Sequence, residues 1–184
     1  MKQDLALMPA RDDYAEELRF TKLAWYALHT RSRHEKVVDD LLRRKNIETF
    51  LPLRTIRRKW SDRIKEIQEP LFKGYTFVHA QLIHKLEILQ TKGVVRFVGF
   101  GRFPSVVSET QLLSIRRFME EDIQIDPFPY LQEGKRVVIK NGRFRGVEGF
   151  LVCKKSKYRL VISLDLISQS ASIEIDSASV EPLE

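Results

Sequence analysis

The sequence contains one cysteine, Cys153, so no disulfide can form within the chain. No apolar run approaches the ~18 residues that a membrane-crossing helix needs. A glycine-rich phosphate loop is missing too: Gly99-Phe100-Gly101 lacks the third glycine and runs into a proline-containing loop instead of a helix. The four histidines (His29, His34, His79 and His84) show no ligand spacing with cysteine or carboxylate partners, and none lies near Cys153. These absences leave no catalytic constellation, no metal site and no cofactor motif, so an enzyme is not expected. The opening stretch MKQDLALMPARDD has no apolar core of signal-peptide length, and a cytoplasmic protein without membrane contact is expected.

What is present is basic charge, unevenly placed. The chain has 184 residues, 43% of them hydrophobic, and a net charge of +7. That length suits one medium domain or two small ones. Residues 1–20 carry three basic and five acidic side chains, 21–120 carry twenty and ten, and 121–184 carry nine and ten. The whole excess sits in the central hundred residues. A nucleic-acid-facing domain joined to a neutral one fits that distribution, and so does a solvated lysine-rich surface.

Periodicity divides the chain further. WYALHT (Trp25 to Thr30) reads as a strand. Ser32 and Glu35 have capping-box spacing ahead of a helical stripe of Val37, Val38, Leu41 and Leu42, which Asn46 ends. Residues Thr49 to Arg58 look extended, Ser61–Asp62 reads as a turn, and strand returns from Ile64 to Val78. Leu82, Leu86 and Leu89 predict a short helix ending near Gly93, followed by a strand over Val94 to Phe100. Ser108 and Gln111 form a second capping box, before a helix with Leu112, Ile115 and Met119 on one face. The order β-α-β-β-α-β-α predicts an α+β sheet with helices against one face. Residues 1–22 read as a mobile tail, 23–120 as the first domain and 121–131 as a linker. Over 132–184 short, closely spaced strands predict a small closed β-barrel.

Two stretches stand out. EPLFKGYTFVH, Glu69 to His79, reads as a strand but does not alternate: Leu71, Tyr75 and Phe77 fall on one face, Phe72 and Val78 on the other. RTIRRKWSDRIK carries Arg54, Arg57, Arg58, Lys59, Arg63 and Lys65 around Trp60, at a predicted hairpin tip. Cations there attract phosphate by releasing counterions, and the indole could stack on a base. Arg31, Arg33 and Lys36 crowd the positive end of the first helix, against the macrodipole preference, which hints at an outside anion.

WYALHT, the capped helix, FLPL, PLFKGYTFV and GVVRFVGF together resemble the N-terminal (NGN) domain of the NusG transcription elongation factors. GKRVVIKNGRFRGVEGFLV resembles the KOW motif that follows it, and the likeness spans residues 24–182. RSRHEKVVDDLLRRKNIETFLPL, KWSDR and SLDLISQSASIEIDSASVEPL look most like the specialised UpxY-type antitermination branch. The resemblance implies a ferredoxin-like NGN domain followed by an SH3-like KOW barrel, acting as a monomer. It also implies an apolar sheet face that grips the clamp of the RNA polymerase β′ subunit. Phe72 and Tyr75 match the gripping aromatics, Trp25 and Tyr26 a strand beside them, and Gly74 a glycine that lets the partner helix approach closely. Lys73 stands where the family usually has proline. His84 matches one residue of a contact to the gate loop of the β subunit, and the basic side is implied to lie near upstream or non-template DNA. Phe144, Leu166 and Ile167 match exposed apolar positions that recruit a ribosomal small-subunit protein or Rho, though Ser168 and Gln169 depart from the general factor's pattern. Gly149 matches the KOW glycine, at a sharp strand bend. Three readings stay open: a specialised antitermination factor, a general factor coupled to Rho or the ribosome, and a ribosome-associated RNA-binding protein.

Overall fold

A computed structural model describes residues 20–60, 63–100, 103–121, 123–131, 134–154 and 156–183. The expected tail lies almost wholly outside these residues, as does the expected turn at Ser61–Asp62. The N-terminal part is built on four antiparallel strands: β1 (Ala24–Thr30), β2 (Glu48–Phe50), β5 (Tyr75–Ala80) and β6 (Val94–Phe97), ordered β2-β5-β1-β6. Between β2 and β5 the chain leaves the sheet as a separate two-stranded hairpin, β3 (Leu53–Lys59) with β4 (Ile64–Pro70). Among the described residues three α-helices follow strands: α1 (Glu35–Arg44), α2 (Lys85–Leu89) and α3 (Glu109–Glu120). Residues Gly99–Phe100 (β7) and Phe103–Pro104 (β8) form a small ladder of their own, which divides the predicted strand Val94 to Phe100.

Side-chain alternation along β1 explains how the helices settle. Tyr26 and Leu28 join Val78 and Phe97 in one buried cluster with Val38 and Leu42 of α1 and Ile88 of α2. Trp25 and Ala27 join Phe77 in a second cluster with Leu112, Ile115 and Phe118 of α3. Helices therefore cover both faces, not the one face expected. The reason is that β1 is apolar on both sides, and each stripe needs a cover. Within α1, Val38 and Leu42 are buried, but Val37 is 42% exposed and lies off the stripe. In α2 it is Ile88, not Leu86, that points inward.

The capping boxes differ in outcome. Ser108 Oγ accepts from the Gln111 backbone N–H, as its spacing predicts. At α1 the N-cap is His34, with no side-chain cap, and Ser32 lies too early. Glu35 is instead buried, and its carboxylate accepts from the Gly74 backbone N–H at 2.8 Å. Asn46 ends the helix in the left-handed conformation, φ 58°.

That bond to Gly74 marks the answer to the non-alternating strand. Glu69 and Pro70 end β4, Leu71 to Gly74 is a turn, and Tyr75–Ala80 is the next strand. Leu71 and Phe72 are consecutive and both 1% exposed, which a half-buried strand forbids and a turn allows. Phe72 thereby joins Phe77 on the α3 face, edge to face at 6.0 Å, instead of facing with Val78. Gly74 has φ +83°, and a Cβ built there would meet only the His29 ring, at 3.9 Å. The turn's backbone angle calls for the glycine, and no close approach within the chain does.

The C-terminal part is one antiparallel sheet of six strands: β9 (Asp126–Phe128), β10 (Lys135–Ile139), β11 (Glu148–Lys154), β12 (Lys157–Leu164), β13 (Gln169–Glu174) and β14 (Val180–Pro182), ordered β14-β10-β11-β12-β13-β9. This sheet-rich unit fits a β-barrel. The segment 121–131, expected as a linker, supplies edge strand β9, and a proline such as Pro127 is tolerated at a sheet edge. Gly149 has a different role from Gly74: an added Cβ would lie 2.6 Å from the Val161 carbonyl oxygen, so β11 and β12 approach too closely for any side chain.

Candidate functional site: an aromatic sheet face and a basic rim

The aromatics singled out in the sequence gather on the α3 face of the sheet, with one exception. The Trp25 ring stacks on His79 at 4.8 Å and meets Phe50 edge-on at 6.5 Å. Phe77 contacts both Phe50 and Phe72, and Tyr75 tilts against His29 at 5.4 Å. The guanidinium of Arg116, on α3, lies over Trp25 and Phe50 at 5.6 and 4.9 Å from the ring centroids. Tyr26 is the exception. It points to the opposite face, packs edge-on against Phe97, and has its phenol pushed up by burial.

This face is not an open hollow. Trp25 is 6% exposed and Phe72 1%, with Tyr75 only partly covered. Their cluster runs from the sheet through Leu112, Ile115 and Phe118 into Val137, Leu160, Leu164 and Ile167 of the C-terminal sheet. Phe118 meets Phe144 edge to face at 4.9 Å. Gln169 donates its side-chain N–H to the Lys73 carbonyl at 3.3 Å, bringing the Leu166–Gln169 segment beside the turn that carries Phe72. Phe144 and Leu166 are partly buried, and Ile167 is 6% exposed. The aromatic face is covered by α3, and the apolar tip of the C-terminal unit packs against α3 in the same cluster. Local sequence patterns carry no signal for this, since each patch is apolar whether its cover is another protein or the same chain.

Polar contacts border the junction. Arg117 donates to the Arg143 carbonyl, and Arg143 pairs with Glu121. Arg54 binds Glu69 through Nε at 3.0 Å and also Asp126 at 3.1 Å, while Arg159 reaches the other Asp126 oxygen at 2.9 Å. Arg54 thus points inward to brace the hairpin base, not outward as its place in the basic run predicts. The Arg54 hydrogen bond holds the Glu69 carboxyl below its ordinary value.

The remaining hairpin cations are placed as expected. Arg57, Arg58, Lys59 and Arg63 are exposed, Trp60 is 51% exposed, and Lys65 Nζ lies 5.7 Å over its ring. Arg57 shares its charge with Glu66 at 3.0 Å. Arg31, Arg33 and Lys36 are exposed at the start of α1, and Lys36 Nζ donates to the Gln68 carbonyl of the hairpin at 2.8 Å. His84 is exposed on the far side of the sheet, 3.7 Å from Glu87. Among the described residues no group of three or more His, Cys, Asp or Glu is placed to hold a metal ion, and no helix is long and apolar enough to cross a membrane.

Fold and site define a mixed α/β protein with an aromatic sheet face covered within the chain, beside an exposed basic hairpin. The sequence model of the family described as "Transcription termination factor nusG" matches residues 23–116, and the chain belongs to the NusG family. It is 27% identical to the transcription termination/antitermination protein NusG of Lactococcus lactis over 177 residues, covering 87% of this chain and 93% of that one. It is 23% identical to the NusG protein of Borreliella burgdorferi over 184 residues, covering 87% and 98%. Among solved structures it is similar to Thermotoga maritima NusG, from work titled "Domain interaction in Thermotoga maritima NusG", with a TM-score of 0.54 and 19% identity over 89% of this chain and 98% of that one. That structural likeness shows the fold.

Proposed function

We propose that the chain is a non-enzymatic transcription elongation factor that binds the RNA polymerase clamp, suppresses pausing and promotes antitermination of specific operons. On this reading residues 23–120 are the polymerase-binding domain and 132–184 a KOW domain for a second partner. NusG-family factors work with RNA polymerase, and family membership supports the general assignment. The observation that carries the site assignment is the row Trp25, Phe77, Phe72 and Tyr75. Aromatics at this density on one sheet face suit a protein contact, because such rings dominate interface energetics.

Because that face is covered, polymerase contact in this reading follows release of the C-terminal sheet. The cover is held by the shared apolar cluster, with the Phe118–Phe144 pair within it, and by a border of polar contacts, several of them exposed. Pull-down of core polymerase by the full chain tests it. Tyr75→Ala, at a partly covered ring, should reduce capture, and Phe144→Ala, which loosens the cover, should increase it. Equal capture by wild type and Tyr75→Ala, with native circular dichroism in both, sinks the assignment.

A second reading has support as well. The curated relatives above carry the general name for both termination and antitermination, which favours a general factor coupling polymerase to Rho or the ribosome. Adding Rho to a paused-elongation assay separates the two: earlier termination supports the general factor, and readthrough supports the specialised one. Co-sedimentation with ribosomes in polymerase-free extract would point instead to a ribosome-associated role.

A further inference from the structure

Phe20 and Thr21, the first described residues, are helical. The Thr21 carbonyl accepts from the Gln81 side chain at 2.7 Å. Gln81 leads directly into a 3-10 turn, Leu82–His84, and from there into α2. The stretch ahead of Thr21 is therefore tethered at the entrance to α2.

Beside that tether, between α2, β6 and the β7–β8 ladder, lies a groove of about 220 Å³. Leu89, Phe97, Phe103 and Pro104 give it apolar walls, and Lys85 and Arg96 stand in its lining. Arg96 directs one N–H to the Phe97 carbonyl at 3.5 Å, and among the described residues it pairs with no carboxylate. On the same helical stretch Ile83 is 56% exposed and Leu86 68%. Their spacing of three makes them neighbours, so an apolar edge runs along the groove. Apolar surface gathered in this way calls for a cover.

The sequence ahead of the tether supplies a match. Residues 12–20 read DDYAEELRF. Asp13 and Glu16 have capping-box spacing, after which Tyr14, Leu18 and Thr21 fall on one helical stripe. Asp13 and Glu17 flank that stripe with carboxylates, where the groove offers two cations. The lengths agree too. At 1.5 Å per residue, Leu18 and Tyr14 lie about 5 and 10 Å from Thr21, while Leu86 and Leu89 lie about 8 and 12 Å from Gln81. The family match begins at residue 23, so this stretch is outside the matched region.

We propose that residues 13–21 form a helix docked across this groove, with Tyr14 and Leu18 against Leu86, Leu89 and Phe103, and with Asp13 and Glu17 facing Lys85 and Arg96. The chain's own segment is the occupant because its tether keeps it beside the groove. A short tether gives an effective concentration on the order of millimolar, far above that of a second copy in dilute solution. The contact does not depend on the polymerase reading above.

Amide exchange and spin labelling of the full chain test this. In wild type the amides of residues 16–20 should be protected. Leu18→Ala should speed their exchange about three- to tenfold, the factor for removing half of a leucine's apolar cover. Arg96→Glu should speed it about two- to fivefold, and adding Glu17→Arg should restore most of the protection, since the pair is then reversed instead of lost. Rescue by charge reversal is what a helix held by its backbone alone would not show. Amides of β5 should stay unchanged in every variant. A nitroxide at Glu16→Cys, in a Cys153→Ser background, should broaden the amides of Lys85, Leu86 and Leu89 and leave Tyr158 sharp.

Unprotected exchange of residues 16–20 in wild type overturns the proposal, and so does protection that survives Leu18→Ala undiminished. Broadening at Lys36 and Gly74 in place of α2 would put the acidic stretch elsewhere and defeat the groove assignment. If spin-labelled copies broaden α2 of isotope-labelled ones mixed with them, the groove takes a segment from a second molecule, and the intramolecular assignment fails.

Discussion

Phe118 and Phe144 meet edge to face, 4.9 Å between ring centroids and 69° between planes, and this contact joins the helix over the aromatic sheet face to the C-terminal sheet. Such pairs contribute about 0.5–1.5 kcal/mol beyond the area they bury. Phe144→Ala should therefore cost about 1–3 kcal/mol, less than the 3–5 typical of fully buried phenylalanines, since Phe144 is only partly covered. Denaturant unfolding of the variant checks this. Two separated transitions in place of one would show that the pair couples the two parts of the chain.

The turn glycine gives a second prediction. Gly74 occupies φ +83° with open space around its missing Cβ, so Gly74→Ala should cost about 1–2 kcal/mol from backbone strain alone. Gly74→Asn should cost less, because asparagine visits that region more readily. Equal stability of all three proteins by urea midpoint would show that the angle is not the constraint. A glycine present only for a partner's approach would lose polymerase capture and nothing else.

Asp126 sits between two arginines, Arg54 and Arg159, with each of the three side chains about three-quarters covered. Asp126→Ala would leave Arg54 with Glu69 alone and Arg159 without its carboxylate at the base of the hairpin. Fully buried pairs lose about 3–5 kcal/mol when one partner is removed; partial solvent screening lowers the expectation here to about 1–3 kcal/mol. Asp126→Ala should cost less in an Arg54→Met background than in wild type, a double-mutant cycle readable by denaturation. Additive losses would mean that the ion network contributes nothing cooperative.

Acid should weaken the fold through Glu69. Its carboxyl is held below the ordinary value of 4.5, chiefly by the hydrogen bond from Arg54. A depressed value stabilises the folded chain at every pH above the unfolded value, and that contribution disappears as pH falls through the folded value. Glu69→Gln should lower stability at neutral pH and show a flatter loss below about pH 4.5 than wild type. Parallel profiles, followed by urea midpoint against pH, would assign the acid loss to other carboxylates.

Much of this protein is legible before folding is considered. Strand β1, helices α1 and α3, the basic hairpin and the four central C-terminal strands follow from periodicity, caps and turn residues, all of which act within a few positions of each other. Asn46 ends α1, and Ser108 caps α3, because each satisfies the adjacent backbone directly.

What tertiary structure decided is whatever depends on residues far apart in sequence. EPLFKGYTFVH reads as unbroken strand, yet Glu35, thirty-nine positions before Gly74, fixes the turn that swings Phe72 onto the α3 face. Arg54 belongs to a run of cations by sequence and to Glu69 and Asp126 by fold. Composition determined that the chain would have apolar patches and a basic rim. Only the packing of α3 and the C-terminal sheet determined that these apolar patches would be covered within the chain. The hydrophobic effect has no direction and does not distinguish a partner's surface from the chain's own.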